Sequence, residues 1–231
     1  MASIRENCRK IICIGRNYAD HIAELNNTRP KKPFFFLKPT TSLVTPGYPH
    51  VFRPKGVNVH YEVELGLIMG RRLKDSDPAD EKGALDAISG YVVAIDMTAR
   101  NVQESAKRAG LPWSIAKGFD TFCPISNFIP KQAIPDPHNA NLHLSVNNEI
   151  RQNDNTGLML YRIPQILAEI SMVMTLEPGD LVLTGTPKGV GEVKHGDVMR
   201  AGISVDGKRL PEGNIEVTVK DSEGRFTFGE F

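Results

Sequence analysis

Glu62 and Glu64 stand one residue apart at the head of an apolar run, His60-Tyr61-Glu62-Val63-Glu64-Leu65-Gly66-Leu67-Ile68-Met69. Glutamate is a poor strand former, yet everything after the pair reads as a buried strand. Alternate side chains of an extended chain share a face, so both carboxylates project the same way. Two carboxylates side by side against a core repel each other and are costly to desolvate. A divalent cation between them removes both costs. Asp96, which ends the strand-like Tyr91-Val92-Val93-Ala94-Ile95, is a third oxygen donor. Three carboxylates without a cysteine or histidine cluster favour a hard ion, Mg²⁺ or Mn²⁺, over zinc. The alternative is a solvated edge-strand face carrying two charges.

His21 and Glu24 lie three apart, so one helical turn brings them together. A glutamate beside an imidazole raises its basicity and orients it, which suits a general base near neutral pH. The same spacing also occurs in surface contacts of little energetic weight. Lys117 sits in Ser114-Ile115-Ala116-Lys117-Gly118, an apolar, strand-like stretch where a lysine either snorkels outward or binds an anion. Arg100 and Gln103, three apart on a predicted helix, share a face with Lys107. His60 alternates with the two glutamates, as their neighbour or as a plain strand-end residue. Gly185-Thr186-Pro187-Lys188-Gly189-Val190-Gly191 has neither the glycine spacing of a phosphate loop nor a Ser/Thr after its lysine. It reads as a tight turn, with the alternative that its backbone N–H groups face a carboxylate. Cys123 reads as a small buried hydrophobe, and Trp113 either lines a pocket or fills core.

The elements that must position these groups are mostly strands. Lys10–Gly15 and Phe34–Leu37 read as strands separated by a two-turn helix over Asn17–Leu25 and a loop from Asn26 to Pro33. Asp77-Pro78 reads as an N-cap and first helical residue, predicting a helix to about Ile88 that Gly90 ends. A helix over Thr98–Ala109 is closed by Gly110. Asn147-Asn148 between two alternating runs predicts a hairpin. Ile163, Ile166, Leu167, Ile170, Val173 and Met174 form one stripe of a helix over Pro164–Met174, and Leu181–Thr184 is a further strand. The C-terminal third alternates short strands with Gly/Asp turns. The expected fold class is α+β and β-rich, with no repeat or domain boundary.

With 231 residues, 24% charged and 40% apolar, the chain is ordinary for a soluble globular protein. A net charge of +1 gives no electrostatic case for nucleic acid or membrane binding. No apolar stretch approaches the ~20 residues a membrane span requires. Cys8, Cys13 and Cys123 have no metal-type spacing and suggest a reducing compartment. The first ten residues mix Arg5, Arg9 and Lys10 with Glu6 and form no clear transit peptide.

Taken together, Gly15-Arg16-Asn17-Tyr18, Phe36-Leu37-Lys38-Pro39, Tyr61-Glu62-Val63-Glu64, Asp96-Met97-Thr98-Ala99-Arg100 and Leu183-Thr184-Gly185-Thr186-Pro187 resemble the fumarylacetoacetate hydrolase superfamily. Within it, Asn17 to Glu24, Asp96 to Gln103, Leu111-Pro112-Trp113 and Ala116-Lys117 are most similar to the group acting on acylpyruvates and oxaloacetate. The resemblance implies a mixed β-roll or sandwich with a few peripheral helices, one catalytic domain over 11–231 after an N-terminal extension, and a homodimer. It implies Mg²⁺ or Mn²⁺ on Glu62, Glu64 and Asp96, and His21 with Glu24 as an acid–base dyad on a mobile lid, residues 17–32. Lys117 and Gln103, with Arg16, Arg100 and Thr186, become substrate or enolate contacts. The implied compartment is the mitochondrial matrix, with the cytoplasm as the alternative, and oxalate becomes an expected inhibitor. One departure is His60-Tyr61 before the first metal glutamate, where relatives often carry two histidines or His with Leu or Pro.

The residue types suit that chemistry. A 2-oxo acid chelates a cation through its carboxylate and keto oxygen, and the polarised ketone stabilises the enolate formed when a bond at C3 breaks. Acylpyruvate hydrolysis, oxaloacetate decarboxylation and oxaloacetate keto–enol exchange all share that enolate. Two rivals are an isomerase or decarboxylase of aromatic-ring degradation on the same fold, and a non-catalytic scaffold that binds dicarboxylates.

Overall fold

The computed structural model describes residues 4–229. Its longest apolar runs become the middle of a six-stranded mixed sheet. Ile11–Gly15, buried at every position, pairs in parallel with Leu181–Leu183 and antiparallel with Phe34–Lys38. Leu181–Leu183 pairs with Val63–Met69, which pairs with Ile88–Ile95, and Ile129–Pro130 closes that side. Strands covered on both faces read as continuous hydrophobic runs, and Val63–Met69 is buried throughout.

A second sheet runs Glu149–Asn155, Asn141–Val146, Val198–Val205, Ile215–Asp221, His50–Arg53. Here Asn141–Val146 alternates buried with half-buried residues, one face to the core and one to solvent. The hairpin forms where expected, with Asn147 and Asn148 both at positive φ as a two-residue primed turn requires. A three-stranded patch, Gly191–Val193, Val59–Tyr61 and Thr98–Ala99, sits where the glutamate pair begins. One large apolar cluster joins the two main sheets, and a smaller one contains Cys8, Cys13 and Cys123, all free and buried.

The few helices are peripheral, and two differ from expectation. The helix placed at Asp77–Ile88 is only Glu81–Asp86. Asp80 is its cap, accepting from the Gly83 N–H at 2.8 Å, while Asp77 closes a turn on Ala79. Residues 88–90 belong to a strand instead, because Ile88 pairs with Met69 and Gly90 with Ile68. Gly90 lets the Phe128 ring approach rather than ending a helix; a Cβ there would lie 2.3 Å from Phe128 Cζ. Ser114–Lys117, expected as strand-like, is a single helical turn closed by the Lys117 N–H on Trp113 O. Arg100–Ala109 and Ile163–Val173 form as read, Gly110 ending the first at φ +66°. Thr98 and Ala99, assigned to that first helix, are a short strand, and Val173 leaves the second's buried stripe at 69% exposure.

Candidate active site

Glu64 lies within Val63–Met69, whereas Glu62 occupies the break between that strand and Val59–Tyr61. Its carbonyl accepts from the Asp96 N–H at 2.8 Å, which brings the third carboxylate alongside. Glu62, Glu64 and Asp96 are 6%, 1% and 1% exposed, so the solvated edge-strand reading fails. Each offers an oxygen within 4.8 Å of the other two.

Three cations stand against these carboxylates. Lys117 Nζ donates to Glu62 Oε2 (2.9 Å), Asp96 Oδ2 (2.6 Å) and Thr98 Oγ1 (2.7 Å). Lys38 Nζ donates to Asp96 Oδ1 (2.7 Å) and Met97 O (3.1 Å). Arg100 reaches Glu62 Oε1 at 2.5 Å and Gln103 Oε1 at 2.7 Å. Burial alone would lower the Lys117 pKa, but Asp96 and then Glu62 more than reverse this and keep it an ammonium. Burial alone would raise Glu62, yet Lys117, Arg100 and His21 hold its carboxyl below the usual range.

Glu64 is the exception. The contact found for its carboxylate is the Gly185 N–H, at 2.7 Å to Oε2. Burial, then Asp96 and Glu62, push its pKa far above the carboxylate range. Among the described residues Glu64 is thus the one of the three carboxylates with no ion pair of its own, Lys117 acting on it only at a distance. A divalent ion would supply that charge amid hard oxygen donors, so the donor set fits Mg²⁺ or Mn²⁺. The glycine-rich segment does face carboxylates, though the protein's own. Gly185, at φ +98°, turns its N–H onto Glu64, and the Gly189 N–H bonds Glu24 at 3.0 and 3.2 Å.

Around this floor, Arg16, His21, Phe36, Gln103, Trp113 and Thr186 line the same pocket. His21 comes from Ala19–Glu24, is 6% exposed, and has its Nδ1 3.5 Å from Glu24 Oε2 with no hydrogen-bond partner among the described residues. Burial lowers the His21 pKa, and neither Glu62 nor Glu24, which both raise it, offsets that, so the net shift is downward and favours the neutral imidazole. Arg16 adopts φ +57°, a strained conformation for a non-glycine residue, and its Nη1 donates to Thr28 O at 3.4 Å. Thr186 donates to Val63 O (2.8 Å) and accepts from Gln152 (2.9 Å), so its hydroxyl braces the strand. His60 neighbours Arg100 and Glu62; burial, then Arg100, push its pKa down to about 4. Trp113 packs on Phe34 and Phe36, with ring centroids 5.7 and 5.5 Å apart.

The pocket thus gathers Glu62, Glu64, Asp96, Lys117, Gln103, Arg16, His21 and Thr186, with Arg100 bonded to Glu62. Lys38 was not among the candidates from residue type. Its only local signal is a lysine ending an apolar strand before Pro39; its partner Asp96 is distant in sequence.

The fumarylacetoacetate hydrolase C-terminal family matches residues 10–220. A mitochondrial oxaloacetate tautomerase of Schizosaccharomyces pombe is 58% identical over 192 residues, 83% of this chain and 87% of that protein. A mitochondrial oxaloacetate decarboxylase of Dictyostelium discoideum is 50% identical, covering 86% of this chain and 90% of its own. The crystal structure of a Pseudomonas aeruginosa fumarylpyruvate hydrolase in complex with Mn²⁺ and pyruvate superposes with TM-score 0.81 at 33% identity, over 93% of this chain and 91% of that one.

Proposed function

The chain belongs to the fumarylacetoacetate hydrolase family, and we propose that it acts on 2-oxo acids through an enolate, with keto–enol exchange of oxaloacetate as its leading reaction. Hydrolysis of acylpyruvates and decarboxylation of oxaloacetate follow from the same intermediate. The single observation that carries this reading is the convergence of Glu62, Glu64, Asp96 and the Lys117 ammonium on one buried pocket. The oxaloacetate enzymes among its relatives and the pyruvate of the bacterial hydrolase, itself a 2-oxo acid, support it.

A Mg²⁺ ion, or Mn²⁺, on Glu62, Glu64 and Asp96 would supply Lewis-acid polarisation of the 2-oxo group. Lys117 holds positive charge where the C2 oxygen gains electron density, and its raised pKa makes it an electrostatic partner, not a base. Arg100 and Gln103, bonded to each other, present donors on the adjacent helix face. Neutral His21 takes the proton from C3 of the keto acid; the C–H pair becomes the C2–C3 double bond and the C2 oxygen becomes the enol after reprotonation. In hydrolysis the same nitrogen takes a proton from the water that attacks the distal acyl carbonyl. The C3–C4 bond then breaks, C4 leaves as the carboxylic acid, and the electron pair left on C3 forms the enolate, which the protonated His21 returns to the 2-oxo acid by protonating C3.

The same reading includes residues 17–32 as a lid that opens and closes, a homodimer, inhibition by oxalate as a mimic of the pyruvate enolate, and action in the mitochondrial matrix, where the named relatives are placed. The experiment is to measure enol-oxaloacetate, keto-oxaloacetate and acetylpyruvate turnover side by side with Mg²⁺, Mn²⁺ and a chelator. Enol consumption above the uncatalysed rate, lost on chelation, is expected. Turnover indifferent to chelation, or none with any of the three, would sink the reading.

A further inference from the structure

Both ends of the segment that carries His21 are bonded to the same short stretch, residues 159–161. At its start Asn17 is fully buried and its amide is saturated. Nδ2 donates to Tyr161 O (3.1 Å) and Thr184 O (2.8 Å), and Oδ1 accepts from the Tyr161 N–H (2.8 Å). The Asn17 carbonyl accepts from the Leu160 N–H (2.8 Å), and Tyr18 then pairs with Met159. At its end the Tyr161 phenol, on a residue 6% exposed, donates to Pro30 O at 2.5 Å.

The two attachments differ in kind. The start is held by four hydrogen bonds and a bridge, all involving backbone, and behaves as a fixed hinge. It is also wired to the floor, because Thr184 precedes Gly185, whose N–H bonds Glu64. The end is held to this stretch by one phenolic hydrogen bond. The middle of the segment is also tied by the Gly189 N–H to Glu24, by Lys188 to Asp20 and by Lys107 to Asn27. A rigid hinge with a far end that meets this stretch at one point lets a segment swing without losing its register, which a proton-transfer group needs if it is to return to the same place.

We propose that Tyr161 is a positioning residue for His21: its phenol, through the Pro30 carbonyl, latches the closed segment over the carboxylates while Asn17 serves as the hinge. Tyr161 touches no reacting atom. The proposal rests on His21 as the proton-transfer residue of the reaction argued above.

Tyr161→Phe removes the latch oxygen and keeps the ring. In the metal-loaded protein without substrate, amide hydrogen exchange should quicken across residues 18–30 and stay unchanged across Ile163–Val173, which doubles as the control for folding. The kcat for keto–enol exchange should fall about tenfold, the scale of one lost hydrogen bond at a positioned group, with metal affinity unchanged. In a His21→Ala background the same substitution should cost nothing further. An equal loss in both backgrounds, unchanged exchange over 18–30, or faster exchange with undiminished turnover would each overturn the proposal. The exchange measurement does not depend on which acid is turned over, so a wild-type protein inactive on all three acids would indict the assigned reaction and leave the latch readable.

Discussion

Two lysine–aspartate pairs of the same length, 2.7 Å, sit on either side of the active site. Lys38–Asp96 lies in the floor with side chains 0% and 1% exposed; Lys188–Asp20 ties the His21 helix to the glycine-rich segment with side chains 54% and 64% exposed. Geometry is equal and surroundings are opposite. In the floor, breaking a pair leaves a charge in a low-dielectric interior, where it is strongly destabilising. Over the lid, water and salt replace the lost partner at little cost. In the function proposed above, the floor is a fixed array of charges that would bind a cation and an oxyanion, and residues 17–32 are an attachment whose strength comes from elsewhere. The proposed chemistry divides along the same line, with charge stabilisation below and proton transfer above.

The largest effect should come from the one floor carboxylate without a countercharge. Glu64→Gln keeps the volume and an acceptor for the Gly185 N–H but removes the charge proposed to hold metal. All three activities should fall by about a thousandfold or more. Stability should move the other way in metal-free protein. The folded pKa of Glu64 lies above its unfolded value, so the folded state binds the extra proton and loses stability as pH rises from the unfolded pKa through the raised one. Metal-free Glu64→Gln should thus melt above metal-free wild type at pH 7, and the order should reverse with saturating Mg²⁺. A metal-free variant that melts below wild type would show the floor already neutralised without an ion.

Next is Lys117→Met, which keeps the stem and deletes the charge contacting Glu62 and Asp96. A loss of ~10²–10³ in kcat is expected, the range for one oxyanion donor, in tautomerisation, hydrolysis and decarboxylation alike. Loss in hydrolysis alone would move Lys117 out of the shared floor.

The floor was more legible in the sequence than its supports. Glu62, Glu64 and Asp96 stand out because charges at the ends of apolar runs demand compensation, a local signal. Lys117 stands out for the same reason, but its backbone does not show in the pattern, since a single helical turn is too short for periodicity. Lys38 and the Arg100–Glu62 pair depend on partners far apart in the chain, which only tertiary folding brings together. The same non-locality overrode the helix signals before Ile88, where pairing with Val63–Met69 won. The hairpin at Asn147–Asn148 and the Gly110 stop were readable because φ-specific turn chemistry is written in one or two residues.

His21→Ala should cost about 10² in hydrolysis, the scale of a positioned general base, while metal binding persists. Decarboxylation should suffer less, because it requires no activated water. Burial keeps the His21 pKa below 6.5, so the imidazole is a free base at neutral pH and loses that form as pH falls through the lowered value. The hydrolysis profile should decline on the acid side, at a pH below the ordinary histidine range, and His21→Ala should erase that decline. Decarboxylation vanishing while hydrolysis survives would reverse the division between floor and lid.

The smallest effect belongs to the exposed pair. Lys188→Met deletes the contact with Asp20 but leaves the bond from the Gly189 N–H to Glu24, because that donor is backbone. Solvent screening limits what such a pair contributes, so kcat/KM should change by no more than about threefold. High salt applied to wild type should reproduce whatever change appears. The Tyr161 latch and the Asn17 hinge remain in this variant, and exchange across residues 18–30 should stay close to wild type. A Lys188→Met defect as deep as that of His21→Ala would mean that the lid is held by charge after all. The two 2.7 Å pairs would then be alike in strength as well as in length, and the contrast between floor and lid would collapse.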